Sequence, residues 1–284
     1  MEGFRIPDRF RKRAEPVGEV RQLHYRSKVY NPDLPEYGQE YTKSVRVYLP
    51  AGYEESKTYP VVYVLHGGGG DDYYDWLSEN DPNPTWILEN LVQAGEVEPC
   101  VLVFPNCRSD INQAHGYLQW NSAYTFGPDL RNDLIPFIEA QFPVGKQRED
   151  RAICGLSLGG FQTAQIGIGE LYNLFGWYGV FSASFNGGNG MTFSVDKALE
   201  IIHNSPYDLG YLYLLCGTLD PACYGTFSRD VALLAEKIPG SDKIIEGVNY
   251  TAEEAVGGKH DYAVWQYGLY RFLRLAFKSH VDRT

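Results

Sequence analysis

Cys154-Gly155-Leu156-Ser157-Leu158-Gly159-Gly160 is the stretch that decides how the rest of the chain is read. A short apolar run, Arg151-Ala152-Ile153, leads into it, and Phe161-Gln162-Thr163-Ala164-Gln165-Ile166 leads out in a pattern that opens a helix. Strand, Gly-x-Ser-x-Gly, helix is the context of a nucleophile elbow, in which a serine on a strained turn projects its hydroxyl from the top of a sheet. Gly155 and Gly159 flank the serine because a Cβ there clashes as the chain doubles back, and Gly160 lets the helix pack close to the strand. An ordinary glycine-rich strand-to-helix turn contains the same five residues, so the motif needs partners elsewhere in the chain.

Outward from the elbow, buried strands and helices alternate. Tyr59-Pro60-Val61-Val62-Tyr63-Val64-Leu65 is a continuous apolar run that ends in His66-Gly67-Gly68-Gly69-Gly70, and Cys100 to Asn106 is a second such run. Trp86 to Val92 has helical spacing, as does Asp129 to Phe142, which Pro136 should kink. Downstream, Phe175–Ser182 and Tyr211–Gly217 read as strands, Asp196–His203 and Arg229–Ile238 as helices, Lys243–Val248 as a last strand, and Ala263–Phe277 as a terminal helix with Leu269, Phe272, Leu273 and Ala276 inward. Before residue 60, Val20, Leu23, Tyr25 and Val29 alternate with polar residues, as does Ser44 to Leu49 before Pro50. Asn31-Pro32-Asp33-Leu34-Pro35 supplies the turn between them. The pattern predicts an α/β fold: a mainly parallel central sheet with antiparallel N-terminal strands and helices on both faces. Residues 1–17, with Arg5, Arg9, Arg11, Lys12 and Arg13, read as a loosely held arm or short helix with a solvated surface, and 18–284 as one domain.

Composition narrows the function. The 284 residues carry a net charge of −11, which disfavours nucleic acid or an anionic membrane as partner and favours a neutral substrate. Aromatic content is high, with 22 Tyr, 14 Phe and 5 Trp; Tyr and Trp offer flat apolar faces with a polar edge that suit sugar or phenyl rings, while most of the aromatics fill the core. Five Cys without a CxxC pair point away from zinc or redox chemistry, and Cys154 and Cys216 sit in apolar runs as small core residues. No segment approaches the roughly 18 uninterrupted apolar residues of a membrane span. No signal-peptide core opens the chain, so as written it reads as cytoplasmic; removal of a signal would leave the same sequence on a secreted protein.

A serine hydroxyl becomes nucleophilic when a base takes its proton, and the base is usually a His oriented by a carboxylate. In this architecture the acid and then the His follow the serine along the chain. Of His203, His260 and His280, the second follows a glycine-rich loop after a strand and can reach back over the sheet. His203 ends a helix as a surface cap, and His280 lies four residues from the end. Asp220 follows the apolar strand and turn Cys216-Gly217-Thr218-Leu219. Asp208 precedes that strand, Asp230 lies within the next helix and Asp242 in a surface-like turn. The oxyanion of a tetrahedral intermediate needs preorganised N–H donors: Leu158, after the nucleophile, and Gly68, with Gly69 the next choice. The glycine run lacks the Lys-Ser/Thr of a phosphate loop and the spacing of a dinucleotide site, and His66 is read as structural.

With these residues in place the chain resembles the esterase D-like group of α/β-hydrolases and, within it, carbohydrate esterase family 1, which includes feruloyl and acetylxylan esterases. The matching segments are Val47-Tyr48-Leu49-Pro50 through Tyr53, Tyr63 to Gly70, Pro99 to Asn106, Asp133 to Glu139, Arg151 to Gly160, Cys216 to Asp220 and Gly258 to Trp265, in order between residues 18 and 277. The resemblance implies a catalytic triad of Ser157, Asp220 and His260, matching the choice made from the residues. It also implies hydrolysis of hydroxycinnamoyl (feruloyl) esters of plant cell-wall sugars through an acyl-enzyme, with no metal or organic cofactor. Acetylxylan or other short-acyl esters are the alternative. Tyr262 departs from the pattern, in which Trp often follows the His-Asp pair.

The aromatic stretch His115 to Tyr124 offers Trp120 and Tyr124 as substrate contacts, while Trp265 is placed in the core. Three other readings share the motifs. An acyltransferase like the mycolyl transferases would exclude water and admit a second sugar. A thioester hydrolase such as S-formylglutathione hydrolase would take a different leaving group. A non-catalytic binding protein would not need an intact triad and glycine run.

Overall fold

The computed structural model of the chain describes residues 3–78, 82–186 and 193–278. The strands are β1 (Glu19–Lys28), β2 (Glu40–Leu49), β3 (Val61–Leu65), β4 (Val101–Pro105), β5 (Arg151–Leu156), β6 (Trp177–Phe181), β7 (Tyr211–Gly217) and β8 (Tyr250–Ala255). They form one sheet in the order β1-β2-β4-β3-β5-β6-β7-β8. β1 pairs antiparallel with β2 and β2 with β4, and the remaining pairs are parallel, as the sequence pattern predicts. β3, β4, β5, β6 and β7 are buried along their whole length, which is why they read as unbroken apolar runs.

The helices are α1 (Tyr74–Leu77), α2 (Pro84–Gln93), α3 (Trp120–Tyr124), α4 (Phe126–Asp129), α5 (Ile135–Gln141), α6 (Leu158–Gln162), α7 (Val195–Asn204), α8 (Tyr224–Lys237) and α9 (Tyr262–Leu273). They cover both faces. One apolar layer joins Val61, Tyr63, Leu65 and Ile153 to α4, α5, α7 and α8. The other joins Val62, Val64, Ala152 and Cys154 to α1, α2 and α9. Adjacent strand residues go to opposite layers because strand side chains alternate. From β3 the chain crosses to β4 on one side, and from β5 it proceeds to the other, so the order reverses between β3 and β5. In open α/β sheets that reversal opens a crevice beyond the carboxyl ends of the strands, where ligands bind.

Four expectations change. Lys243–Val248 is not a strand; β8 begins at Tyr250, and Ile244 instead packs into the core beside a turn organised by Asn249, whose Oδ1 accepts from the Ile245 N–H at 2.7 Å. The N-terminal arm contains a short helical turn, Asp8–Phe10, and is packed rather than loosely held. Ile6, Phe10 and Ala14 are buried, the Phe10 ring packs at a tilt against Tyr270 of α9 with centroids 5.4 Å apart, and Asn90 of α2 donates to the Lys12 carbonyl. α8 starts five residues earlier than Arg229. The break expected at Pro136 takes the form of a wide π turn at Leu130–Leu134, in which the Ile135 N–H reaches the Leu130 carbonyl, and Pro136 sits in the first turn of α5 where its missing N–H costs little. All five cysteines are buried free thiols. Among the described residues, no helix is long and apolar enough to cross a membrane.

Candidate active site

Ser157 leaves β5 at φ 50° and ψ −117°, outside the ordinary range for a side-chain-bearing residue, and its N–H is held by the Phe181 carbonyl at 2.8 Å. Such a conformation costs on the order of 1–3 kcal/mol and persists only where surrounding structure enforces it. Two glycines make the enforcement possible. A Cβ on Gly155 would lie 2.5 Å from the Gly159 backbone, and one on Gly159 would lie 2.6 Å from the His66 carbonyl oxygen. Gly160 abuts Ala183, 2.7 Å from where its own Cβ would stand.

The half-buried Ser157 faces His260, whose Nε2 lies 3.0 Å from the serine Oγ. The other imidazole nitrogen, Nδ1, lies 2.7 Å from Asp220 Oδ2. Asp220 is buried just past β7, and its Oδ1 accepts the N–H groups of Ala222 at 2.9 Å and Cys223 at 3.0 Å. Burial pushes this carboxyl up, but the bond to His260, its charge and the two amides together outweigh burial and hold it below the usual carboxylate range. An ionised Asp220 fixes the tautomer: Nδ1 carries the proton and Nε2 is left to accept from the serine. Trp265 is buried as expected, and it also meets the His260 ring edge-on at 5.1 Å.

The discarded candidates are engaged elsewhere. His203 is tied to the Leu199 carbonyl and Ser241, Asp208 pairs with Lys243, and Asp230 takes the Ser184 hydroxyl and the Phe185 N–H. Asp242 is exposed, and His280 lies outside the described residues.

The glycine loop beyond β3 lies against the elbow, a Cβ on Gly67 being 3.7 Å from that of Ser157. Three of its carbonyls are held by hydrogen bonds. Gly67 O accepts from His66 Nδ1 at 2.6 Å and from Gly70 N–H at 3.2 Å, Gly69 O from Gly116 N–H at 2.6 Å, and Gly70 O from Arg108 Nη1 at 2.9 Å. His66 is structural, as expected: its Nε2 accepts the Cys107 N–H at 2.9 Å, and burial, aided by Arg108, drops its pKa to about 3, so the ring stays neutral. Gly67 N–H donates to Asp75 Oδ2 at 2.7 Å. Leu158 opens α6, and the first N–H groups of a helix have no partner within it. Gly68 and Leu158 thus belong to the loop and the helix start on either side of Ser157. Arg108, fully buried, and Asp75 were not found from the sequence: Arg108 reaches the loop from 38 residues away, and Asp75, though only eight residues past Gly67, lies in no motif that marks it.

Trp120 and Tyr124 both lie on α3, with rings stacked at 6.1 Å; Trp120 is exposed and Tyr124 half-buried against the core. Gln162 of α6 ties this helix to the elbow by donating to the carbonyls of Ala123 (2.7 Å) and Cys107 (2.8 Å). Among the described residues, the donors able to hold a metal gather only at Asp220, Cys223 and His260, within 4.8 Å of one another. Two of them already share a hydrogen bond, and burial followed by the Asp220 charge pushes the Cys223 thiol up to about 12, so it remains a protonated, poor ligand.

A family model described as "Putative esterase" matches residues 37–274. Endo-1,4-beta-xylanase Y of Acetivibrio thermocellus is 30% identical over 132 residues, covering 43% of this chain and 11% of that protein. An endo-1,4-beta-xylanase/feruloyl esterase of Xylanibacter ruminicola is 25% identical over 244 residues, covering 83% of this chain and 29% of that protein. The chain thus spans less than a third of the length of either curated relative. A mutant of the feruloyl esterase module from Clostridium thermocellum, complexed with sinapinate, superposes with a TM-score of 0.77 at 21% identity, covering 98% of this chain and 94% of that one. The fold is that of the α/β-hydrolases.

Proposed function

The chain belongs to the esterase family, and we propose that it is a carboxylic-ester hydrolase with Ser157 as nucleophile, His260 as base and Asp220 as the carboxylate that orients the base. The observation carrying this reading is the pair of bonds on one imidazole, 3.0 Å to Ser157 Oγ and 2.7 Å to Asp220 Oδ2. Ser157 Oγ attacks the ester carbonyl carbon while His260 Nε2 takes the hydroxyl proton. Negative charge on the former carbonyl oxygen is met by the N–H groups of Leu158 and Gly68. The intermediate collapses with cleavage of the ester C–O bond, and His260 returns the proton to the leaving alcohol oxygen. Water, deprotonated by the same nitrogen, then attacks the acyl-serine, releasing the acid and restoring the Ser157 hydroxyl. Asp220 stays ionised throughout and stabilises the imidazolium.

The ester in this reading is a hydroxycinnamoyl (feruloyl) ester of a plant cell-wall sugar. The named activity of the Xylanibacter relative and the sinapinate held by the Clostridium module support this acyl group. A net charge of −11 favours a neutral substrate over an anionic one. Trp120 and Tyr124 are the flat rings assigned to it.

The test pairs fluorophosphonate labelling, read by mass at Ser157, with rates on methyl ferulate, naphthyl acetate and acetylated xylan. Labelling at Ser157 and preference for ferulate support the full reading. Preference for acetylated xylan moves the substrate to short acyl groups, acylated sugar products indicate transfer, and an unlabelled Ser157 removes the assignment of the nucleophile.

A further inference from the structure

The glycine loop is anchored at more points than a surface turn needs, and one anchor comes from the far end of the chain. Asp75, buried on α1, accepts the Gly67 N–H through Oδ2 at 2.7 Å and the Tyr262 hydroxyl through Oδ1 at 3.1 Å. Tyr262 opens α9, two residues beyond His260 and 187 residues from Asp75. The loop wraps the carboxylate so closely that a Cβ on Gly70 would collide with it. On its other side the Tyr262 ring meets Trp265 edge-on at 5.0 Å, and Trp265 meets His260 at 5.1 Å. A continuous set of contacts runs from the imidazole to the loop.

The geometry of one peptide unit gives this set its meaning. In a trans peptide the carbonyl of one residue and the N–H of the next point in opposite directions. The direction of the Gly68 N–H is therefore set by the Gly67 carbonyl, which His66 and the Gly70 amide hold. Asp75 holds the N–H on the other side of Gly67. With both its neighbouring peptide planes fixed, Gly67 loses the torsional freedom that glycine otherwise has. A donor already aimed at the site of developing charge spends no reorganisation energy in the transition state.

We propose that Asp75 and Tyr262 are positioning residues that aim the Gly68 amide and fix the oxyanion side of the site relative to the base. This rests on the assignment of the Gly68 N–H to the oxyanion. The Tyr262 hydroxyl is the group a Trp at that position lacks, and through Asp75 it makes the start of α9 a structural support for a loop at the end of β3.

The test is kcat and KM on methyl ferulate and p-nitrophenyl acetate for Asp75→Ala, Asp75→Asn and Tyr262→Phe, with Ser157→Ala alongside. An interaction made only in the transition state lowers kcat and leaves KM unchanged when it is lost. Asp75→Ala is expected to lose about 100-fold in kcat, the scale of a misplaced catalytic group. Asp75→Asn keeps an oxygen for the Gly67 N–H and a donor for the Tyr262 oxygen, and is expected within about 5-fold of the parent. Tyr262→Phe should lose roughly 5-fold in kcat with KM and melting temperature unchanged, and should cost nothing further on Asp75→Ala. Should Asp75→Ala not fold, Tyr262→Phe decides alone, since it removes one oxygen atom from a partly exposed ring. Parental kcat in Tyr262→Phe, or a loss in Asp75→Ala confined to KM, overturns the proposal. Ser157→Ala separates the two levels. If it is inactive while Tyr262→Phe is parental, only the positioning role fails; if it turns over at the parental rate, the triad assignment fails first.

Discussion

Ser157 and Ser182 leave neighbouring parallel strands at nearly the same positive φ, 50° and 47°. Each extends its ladder by one bond to the next strand, Ser157 N–H to Phe181 O and Ser182 N–H to Leu215 O, both at 2.8 Å. Their side chains differ. Ser157 is half-buried and faces an imidazole, whereas Ser182 is fully buried and, among the described residues, its hydroxyl has no hydrogen-bond partner. The comparison teaches that positive φ is shared by the exits of β5 and β6. Strain alone does not mark a nucleophile; access and a base beside the hydroxyl do.

The largest expected effect sets the two serines apart. Ser157→Ala should lower kcat by about 10⁴-fold or more, the scale for deleting a serine nucleophile. Ser182→Ala should stay within a few-fold of the parent. Equal losses in an ester-hydrolysis assay would erase the distinction. Next, Asp220→Asn should cost on the order of 10⁴-fold in kcat by inverting the tautomer of His260. The same variant has a stability signature. The folded Asp220 carboxyl is held below its ordinary pKa, so its contribution is complete above that ordinary value and is lost as pH falls through the lower folded one. Unfolding midpoints of parent and Asp220→Asn should differ at neutral pH and converge in acid; a gap that widens in acid would contradict the shift.

Smaller effects concern the backbone. In Gly159→Ala the new methyl meets the His66 carbonyl, a main-chain group that cannot turn away, and destabilisation of about 1–3 kcal/mol is expected in urea unfolding. An unaltered midpoint would mean that the elbow has slack. Ser182→Gly should raise stability by about 1 kcal/mol, because it removes a positive-φ side chain together with its unpartnered buried hydroxyl. A loss of stability there would show that the Ser182 hydroxyl has found a partner.

Much of the site was legible because its signals are local. The elbow, the glycine run after β3, Asp220 one turn past β7 and His260 after a glycine-rich loop each sit within a few residues of the strand that positions them. What escaped depends on distant parts of the chain. β8 was missed because it lies at the sheet edge and carries Glu253 and Glu254; the first takes the Tyr213 and Tyr267 hydroxyls and the second that of Tyr224. Those partners neutralise the penalty that makes glutamate a poor strand signal. The basic arm looked solvated because its five basic side chains outweigh Ile6 and Phe10, both of which join an apolar layer formed only once α2 and α9 are side by side. The Asp75–Tyr262 bond joins residues 187 apart and has no sequence signature.

The charged outer strand β1 has a practical consequence. It presents Glu19, Arg21, Arg26 and Lys28 along the rim, and along its whole length it covers the hydrogen-bonding edge of β2. The family match starts at residue 37 and leaves β1 out. A recombinant fragment trimmed to that match would bare the unpaired N–H and C=O groups of β2 and so exchange a rim that repels neighbours for one that recruits them.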